Sequence, residues 1–246
     1  MSDKVAIILG YGPRVGVDVA KALAENGFKV AVVSRSGKLS ESAVNYLQFQ
    51  ANLADPNSLE DVFAKVIREL GHPSVVVYNA ASMQMNFSSS PADQIAQFQA
   101  DNNVNIVSAY AAAQLAVRSF TVLPKEMSKT FIYTGNKLPF MIVLPLLSIG
   151  VGKAGAAHLI HYLSEEYKDQ NYKFYFADER KEDGSPVYGD IDGSAHAEFY
   201  LQLIKGKTQI QGAWNATFVK GKGYVRFPET VIQEAVDMTP KVPKEQ

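Results

Sequence analysis

The 246-residue chain has no cysteine, which excludes disulfides, thiolate catalysis and cysteine-ligated metals together. It has no excess of either charge. Its 24 Lys and Arg against 25 Asp and Glu leave a net charge of −1, so it lacks the positive field that holds nucleic acid non-specifically. No apolar stretch approaches the length of a membrane span, and Met1-Ser2-Asp3-Lys4 leads into a strand rather than into the apolar core of a signal peptide. Internal repeats and low-complexity tracts are missing as well. What remains is a cytoplasmic protein with no nucleic-acid or membrane partner, 47% hydrophobic and long enough to bury a core as one domain over residues 1–246.

The most informative stretch comes first. Val5-Ala6-Ile7-Ile8-Leu9 runs into Gly10-Tyr11-Gly12-Pro13-Arg14-Val15-Gly16, then into the amphipathic Asp18-Val19-Ala20-Lys21-Ala22-Leu23. An apolar run, closely spaced glycines and a helix bring backbone N–H groups and the positive end of a helix dipole to a pyrophosphate. The spacing is not the common Gly-x-Gly-x-x-Gly fingerprint. Arg14 stands where the related Gly-x-x-x-Gly-x-Gly turn has a glycine. A strand-to-helix turn that uses glycine only for positive φ is the plain alternative.

Apolar runs alternate with helical patterns, which implies a mostly parallel sheet flanked by helices, a doubly wound α/β Rossmann-like domain. The predicted strands are Val5 to Gly10, Lys29 to Ser34, Tyr46 to Ala51, Ser74 to Asn79, Thr130 to Gly135 and Tyr172 to Phe176. Helices are expected over Val15 to Asn26, Ser58 to Gly71, Ala92 to Phe120 with a break near Asn102 and Asn103, and Gly150 to Lys168. Asp178 to Gly193 is polar and acidic and reads as an exposed loop, a candidate substrate lid. A helix from Ser194 to Leu203 and a strand from Ala213 to Val219 follow.

This ordered set resembles the short-chain dehydrogenase/reductase family over nearly the whole chain. Val77-Tyr78-Asn79-Ala80-Ala81 is similar to the family's Asn-Ala-Gly segment with alanine for glycine. Asn105 stands where the family has a helix asparagine, and Asn52, followed by Leu53, where an aspartate touches adenine. Lys153, in Gly150-Val151-Gly152-Lys153-Ala154, matches the family lysine. The tyrosine expected four residues earlier is Ile149, the catalytic serine is replaced by Asn136, and Ala177-Asp178 stands where a Pro-Gly pair is usual. The resemblance implies that Lys153 holds the nicotinamide ribose, that Asn136 holds an oxygen through its amide, and that Asn105 completes the catalytic set. A proton donor would have to come from elsewhere, with Ser148, Tyr133 and Tyr188 as candidates.

The second strand ends Val32-Val33-Ser34-Arg35. An acid there would hold a ribose diol, whereas Ser34 followed by the guanidinium fork of Arg35 suits a 2′-phosphate, so NADP(H) is the expected cofactor. Arg14 is placed to reach the same phosphate, the pyrophosphate, or solvent. The expected cofactor set is therefore Gly10, Gly12, Arg14, Val15, Gly16, Ser34, Arg35, Asn52, Leu53, Asn79, Ala80 and Lys153. His158 and His161 are three apart but have no third ligand at telling spacing, so no metal is expected. The apolar run Leu138 to Leu147 stands where the resemblance implies a substrate-pocket lining, with core packing or a dimer contact as the alternatives; if it lines the pocket, the substrate is a bulky, apolar small molecule. Three functions fit: an NADP(H)-dependent reductase of a carbonyl or imine, a non-redox enzyme on the same fold such as a cyclase, and a non-catalytic NADP(H) binder. A homodimer or homotetramer is expected from the family.

Overall fold

A computed structural model describes residues 4–36, 46–85, 90–207, 209, 214–228 and 236–238. Strand β1 (Val5–Leu9) is buried at every position, as a strand with helices on both faces must be. It pairs in parallel with β2 (Lys29–Ser34) on one side and β4 (Val75–Tyr78) on the other. Strand β3 (Leu47–Gln50) extends the sheet beyond β2, and β5 (Lys129–Thr134), β7 (Tyr172–Arg180) and β8 (Asn215–Val219) extend it beyond β4. The antiparallel β9 (Gly223–Tyr224) closes the edge, giving the order β3-β2-β1-β4-β5-β7-β8-β9. The chain reverses its direction of travel between β1 and β4, which places a crevice at the carboxyl ends of these strands.

Alternate residues of each strand feed two cores. Ile7, Leu9, Val76, Phe131 and Phe174 pack against α2 (Ser58–Leu70), α4 (Ser108–Val122) and α5 (Leu147–Glu166). Ala6, Ile8, Val32, Val77 and Ile132 pack against α1 (Gly16–Glu25) and α6 (Gly193–Lys205). Three aromatics on register neighbours stack across the first face. Tyr78 and Tyr133 lie 5.5 Å apart at 11°, and Tyr133 and Phe176 lie 5.5 Å apart at 6°. Trp214 meets the edge of Phe176, and His161 stacks on Trp214 at 4.8 Å.

The expected break in the long crossover is a turn of π-helix, Asn103–Val107, between α3 (Pro91–Asn102) and α4. A wide turn frees carbonyls from the helical ladder, and two tyrosines take them. The Tyr78 hydroxyl donates to Val104 O at 2.5 Å and the Tyr133 hydroxyl to Asn105 O at 3.0 Å.

The acidic stretch corrects the expectation of a loop over 178–193. Strand β7 runs on to Arg180, with Asp178, Glu179 and Arg180 buried and paired in register with Thr217, Phe218 and Val219. The Asp178 and Arg180 charges meet each other: Arg180 bonds Asp178 at 2.5 Å and donates to Gly184 O. Helix α6 already begins at Gly193, capped by Asp192, so the connecting segment is 181–192. The late strand begins at Asn215, and Ala213 lies outside the described residues. A small parallel pair also escaped the sequence pattern: β6 (Val143–Leu144) with β10 (Val236–Asp237). Two-residue strands carry too little periodicity to read.

Candidate functional site

Gly10 ends β1 with φ +94°, and its N–H and that of Tyr11 both donate to Val33 O. A Cβ at Gly10 would fall 2.4 Å from Ala80 N, and one at Gly16 would fall 2.9 Å from Tyr11 Cα. Both glycines are therefore required by the close approach of backbone to backbone. Gly12 differs: the only neighbour of a Cβ there is Gly10 O at 4.0 Å, so its outer side is open. Asn79 braces the turn by donating to Gly10 O at 2.9 Å, while the Asn79 and Ala80 N–H groups bond Leu9 O. Val15 is buried at the N-terminus of α1, and Arg14 is exposed beside it. Across the turn, a Cβ at Gly193 would lie 2.2 Å from both Arg14 O and Asp18 Oδ2, so the start of α6 is pressed onto the start of α1.

The other expected cofactor positions gather along the same edge. Ser34 is half-buried at the end of β2 and Arg35 exposed just beyond it, its carbonyl held by Gln50 Nε2 at 3.0 Å. Asn52 is exposed, with Oδ1 accepting from Ala54 N in a tight turn. Leu53 is buried, and its carbonyl accepts from Ser108 Oγ at 2.7 Å.

Lys153 reaches the edge from α5. It is 4% exposed, donates to Thr134 O at 2.8 Å and lies 4.5 Å from the centre of the Tyr133 ring. Burial pulls its pKa down to about 7, against a smaller opposing pull from the Asp178 carboxylate. Thr134 Oγ1 pairs with the Tyr200 hydroxyl at 2.8 Å, and burial pushes that phenol far above its ordinary range. Asn136 is half-buried, its Oδ1 accepting from Leu138 N at 3.0 Å, which leaves its amide N–H₂ as the group available to an oxygen.

Asn105 is fully buried in the π-turn. Its side chain takes Ser82 N at 2.9 Å and gives to Ser82 O at 2.8 Å, and a Cβ at Gly152 would collide with it at 2.5 Å. Its side chain thus fastens the segment after β4 against α5. Among the candidate donors, Tyr133 is withdrawn: it is fully buried, its hydroxyl is committed to Asn105 O, and desolvation raises its pKa far beyond the ordinary phenol. Tyr188 is exposed on the 181–192 segment with φ +50°.

Sequence reading missed Asp101. This fully buried carboxylate accepts from Ser82 Oγ at 2.6 Å, Gln84 N at 3.1 Å and Ser148 Oγ at 2.7 Å. One aspartate in an amphipathic helix reads as surface, and only its place just before Asn102 and Asn103 hinted otherwise. It also missed a buried Glu179 and His196 pair. There burial raises the Glu179 pKa and lowers that of His196, whose Nδ1 lies 3.4 Å from Glu179 Oε2. No group of His, Asp and Glu among the described residues is arranged to hold a metal, and no helix among them is long and apolar enough to cross a membrane.

A parallel sheet in this order, with a glycine turn at its reversal point, defines a Rossmann-like dinucleotide-binding fold. The chain belongs to the short chain dehydrogenase family of oxidoreductases, whose model matches residues 4–175. It is similar to the short chain dehydrogenase/reductase dmxR12 of Cryptosporiopsis sp. (strain 8999), 38% identical over 240 residues that cover 93% of this chain and 96% of that protein. Its fold matches the NADPH-dependent 3-quinuclidinone reductase of Rhodotorula rubra at a TM-score of 0.71 and 20% identity, covering 91% and 92% of the two chains. A short chain dehydrogenase from Burkholderia cenocepacia J2315, solved in complex with NADP, matches at a TM-score of 0.71 and 19% identity over 89% and 97%.

Proposed function

We propose that this chain is an atypical member of its family, an NADP(H)-dependent oxidoreductase that reduces a carbonyl or imine of a bulky, apolar small molecule. The observation that carries the reading is the glycine turn, closed to any side chain at Gly10 and Gly16 yet open at Gly12. That is the shape a phosphate cradle needs. When bound, the nicotinamide cofactor supplies a hydride.

The chain's own residues do the rest. Gly10, Gly12, Arg14, Val15 and Gly16 would hold the pyrophosphate, and Ser34 and Arg35 the 2′-phosphate. Asn52 and Leu53 would border adenine, with Asn79, Ala80 and Lys153 on the nicotinamide side. Asn136 would donate its amide to the substrate oxygen, and Asn105 keeps the wall behind it in place. Ile149 offers no proton where the family tyrosine would stand, which fits a substrate that arrives already protonated, as an imine can. The 181–192 segment is the proposed lid, and the working form a cytoplasmic homodimer or homotetramer.

Titration of NADPH fluorescence tests the reading. Saturable binding below roughly millimolar cofactor, tighter than for NADH, is expected. Absence of binding at that concentration, or a preference for NADH, overturns it.

A further inference from the structure

Asp101 is a fully buried carboxylate whose partners lie at the carboxyl edge of the sheet, yet the reaction proposed above does not use it. Its two oxygens accept three hydrogen bonds, from Ser82 Oγ to Oδ1 and from Gln84 N and Ser148 Oγ to Oδ2. An ionised carboxylate only accepts, so both seryl protons are committed to it. Each seryl oxygen is left with lone pairs and no proton to offer. Among the described residues neither oxygen accepts a bond in return, and both serines are half-buried rather than sealed.

Their position matters as much as their state. Ser82 follows β4 in the segment that Asn105 fastens. Ser148 sits in the first turn of α5, directly before Ile149 and about 7.5 Å along the helix axis from Lys153. Both therefore stand at the carboxyl end of the sheet, where open α/β folds take their ligands. Apolar packing would brace the 82–84 segment against α5 at no cost in desolvation, whereas burying a charge costs free energy unless it is fully bonded. What the charge adds is orientation: it fixes two hydroxyls as acceptors.

We propose that Ser148 and Ser82, turned by Asp101, form a recognition site for a hydrogen-bond donor, so that the substrate is a carbonyl or imine compound that also carries a hydroxyl or N–H group. Ser148 Oγ is the accepting atom nearest the reacting end, and Asp101 is its positioning residue. The inference rests on the oxidoreductase reading for the reacting group, but its test does not need turnover.

The probes are 4-tert-butylphenol and 4-tert-butylanisole, two bulky apolar molecules that differ by the donor proton. Their affinities are measured by ligand-observed NMR on the NADPH-loaded protein and on the protein alone. The phenol is expected to bind about tenfold more tightly than the ether, the worth of one well-placed hydrogen bond. Ser148→Ala should bring the ratio to about one, Ser148→Thr should restore it, and Asp101→Asn should lower it by freeing the seryl protons. Far-UV circular dichroism checks that each variant is folded, and Asp101→Asn carries the test if Ser148→Ala is not. A purely structural brace would not distinguish a phenol from its methyl ether. Equal affinities in the natural protein, failure of both probes to bind, or a ratio unchanged in Ser148→Ala or Asp101→Asn overturns the inference. Failure of NADPH to bind overturns the oxidoreductase reading instead, and leaves the comparison on the unloaded protein to decide this one.

Discussion

At the scale of single residues, charge placement makes the sharpest predictions. Arg35 is exposed at the end of β2 with its backbone held by Gln50. Arg35→Ala should weaken NADPH about tenfold or more, the worth of a charge-assisted bond, and leave NADH unchanged in the same fluorescence titration. Lys153 gives a pH dependence. With a pKa lowered to about 7 by burial, it is an ammonium below neutrality and a neutral amine above it. If the ammonium holds the ribose, the Kd for NADPH should be flat below pH 7 and rise up to about tenfold per unit above it. Lys153→Met should abolish that slope. The lysine itself was legible from its small-residue helix. Its depressed pKa was not, because the cause is the aromatic and strand packing around it, contributed by residues distant in sequence.

Among elements, the strand-to-helix turn separates folding from binding. Gly10→Ala forces a side chain into φ +94° and within 2.4 Å of Ala80 N. It should cost about 2 kcal/mol or more by denaturant unfolding. Gly12→Ala meets only Gly10 O at 4.0 Å. It should change stability by less than about 1 kcal/mol while obstructing the cradle, so NADPH affinity falls in a protein that unfolds normally. The first two strands and this turn were read correctly because hydrophobic period and glycine spacing are local signals. The far end of β7 was misread for the converse reason. Asp178, Glu179 and Arg180 look like surface in sequence, whereas in the fold Asp178 pairs with Arg180 and Glu179 accepts from Asp192 N. Arg180→Met should therefore cost about 3–5 kcal/mol in the same assay, since it strands the buried Asp178 charge.

For the whole molecule, several of the exposed apolar side chains among the described residues lie on two neighbouring helices. Val107, Tyr110 and Val122 lie on or beside α4, and Val151 and Tyr162 lie on α5. Native mass spectrometry should find at least twice the 26.9 kDa of one chain. Replacing Tyr110 and Tyr162 together by aspartate should return the monomer mass with the fold intact, because charge on a desolvated face opposes association. Sequence alone pointed to the right fold, since it follows from the order of strands and helices. It could not show the buried hydroxyl and carboxylate contacts that tie α3, the segment after β4 and α5 together, because these join positions as far apart as Ser82, Asp101 and Ser148.

Trp214 has a consequence of its own. It is the chain's single tryptophan, lodged between His161 of α5 and Phe176 of β7. All indole emission therefore originates at one outer margin of the sheet, remote from the β1 turn. A shift in that emission that precedes the loss of far-UV ellipticity on heating would mark detachment of the β7–β8 margin ahead of global unfolding. Coincident curves would show that the margin and the β1–β4 half of the sheet melt as one cooperative unit.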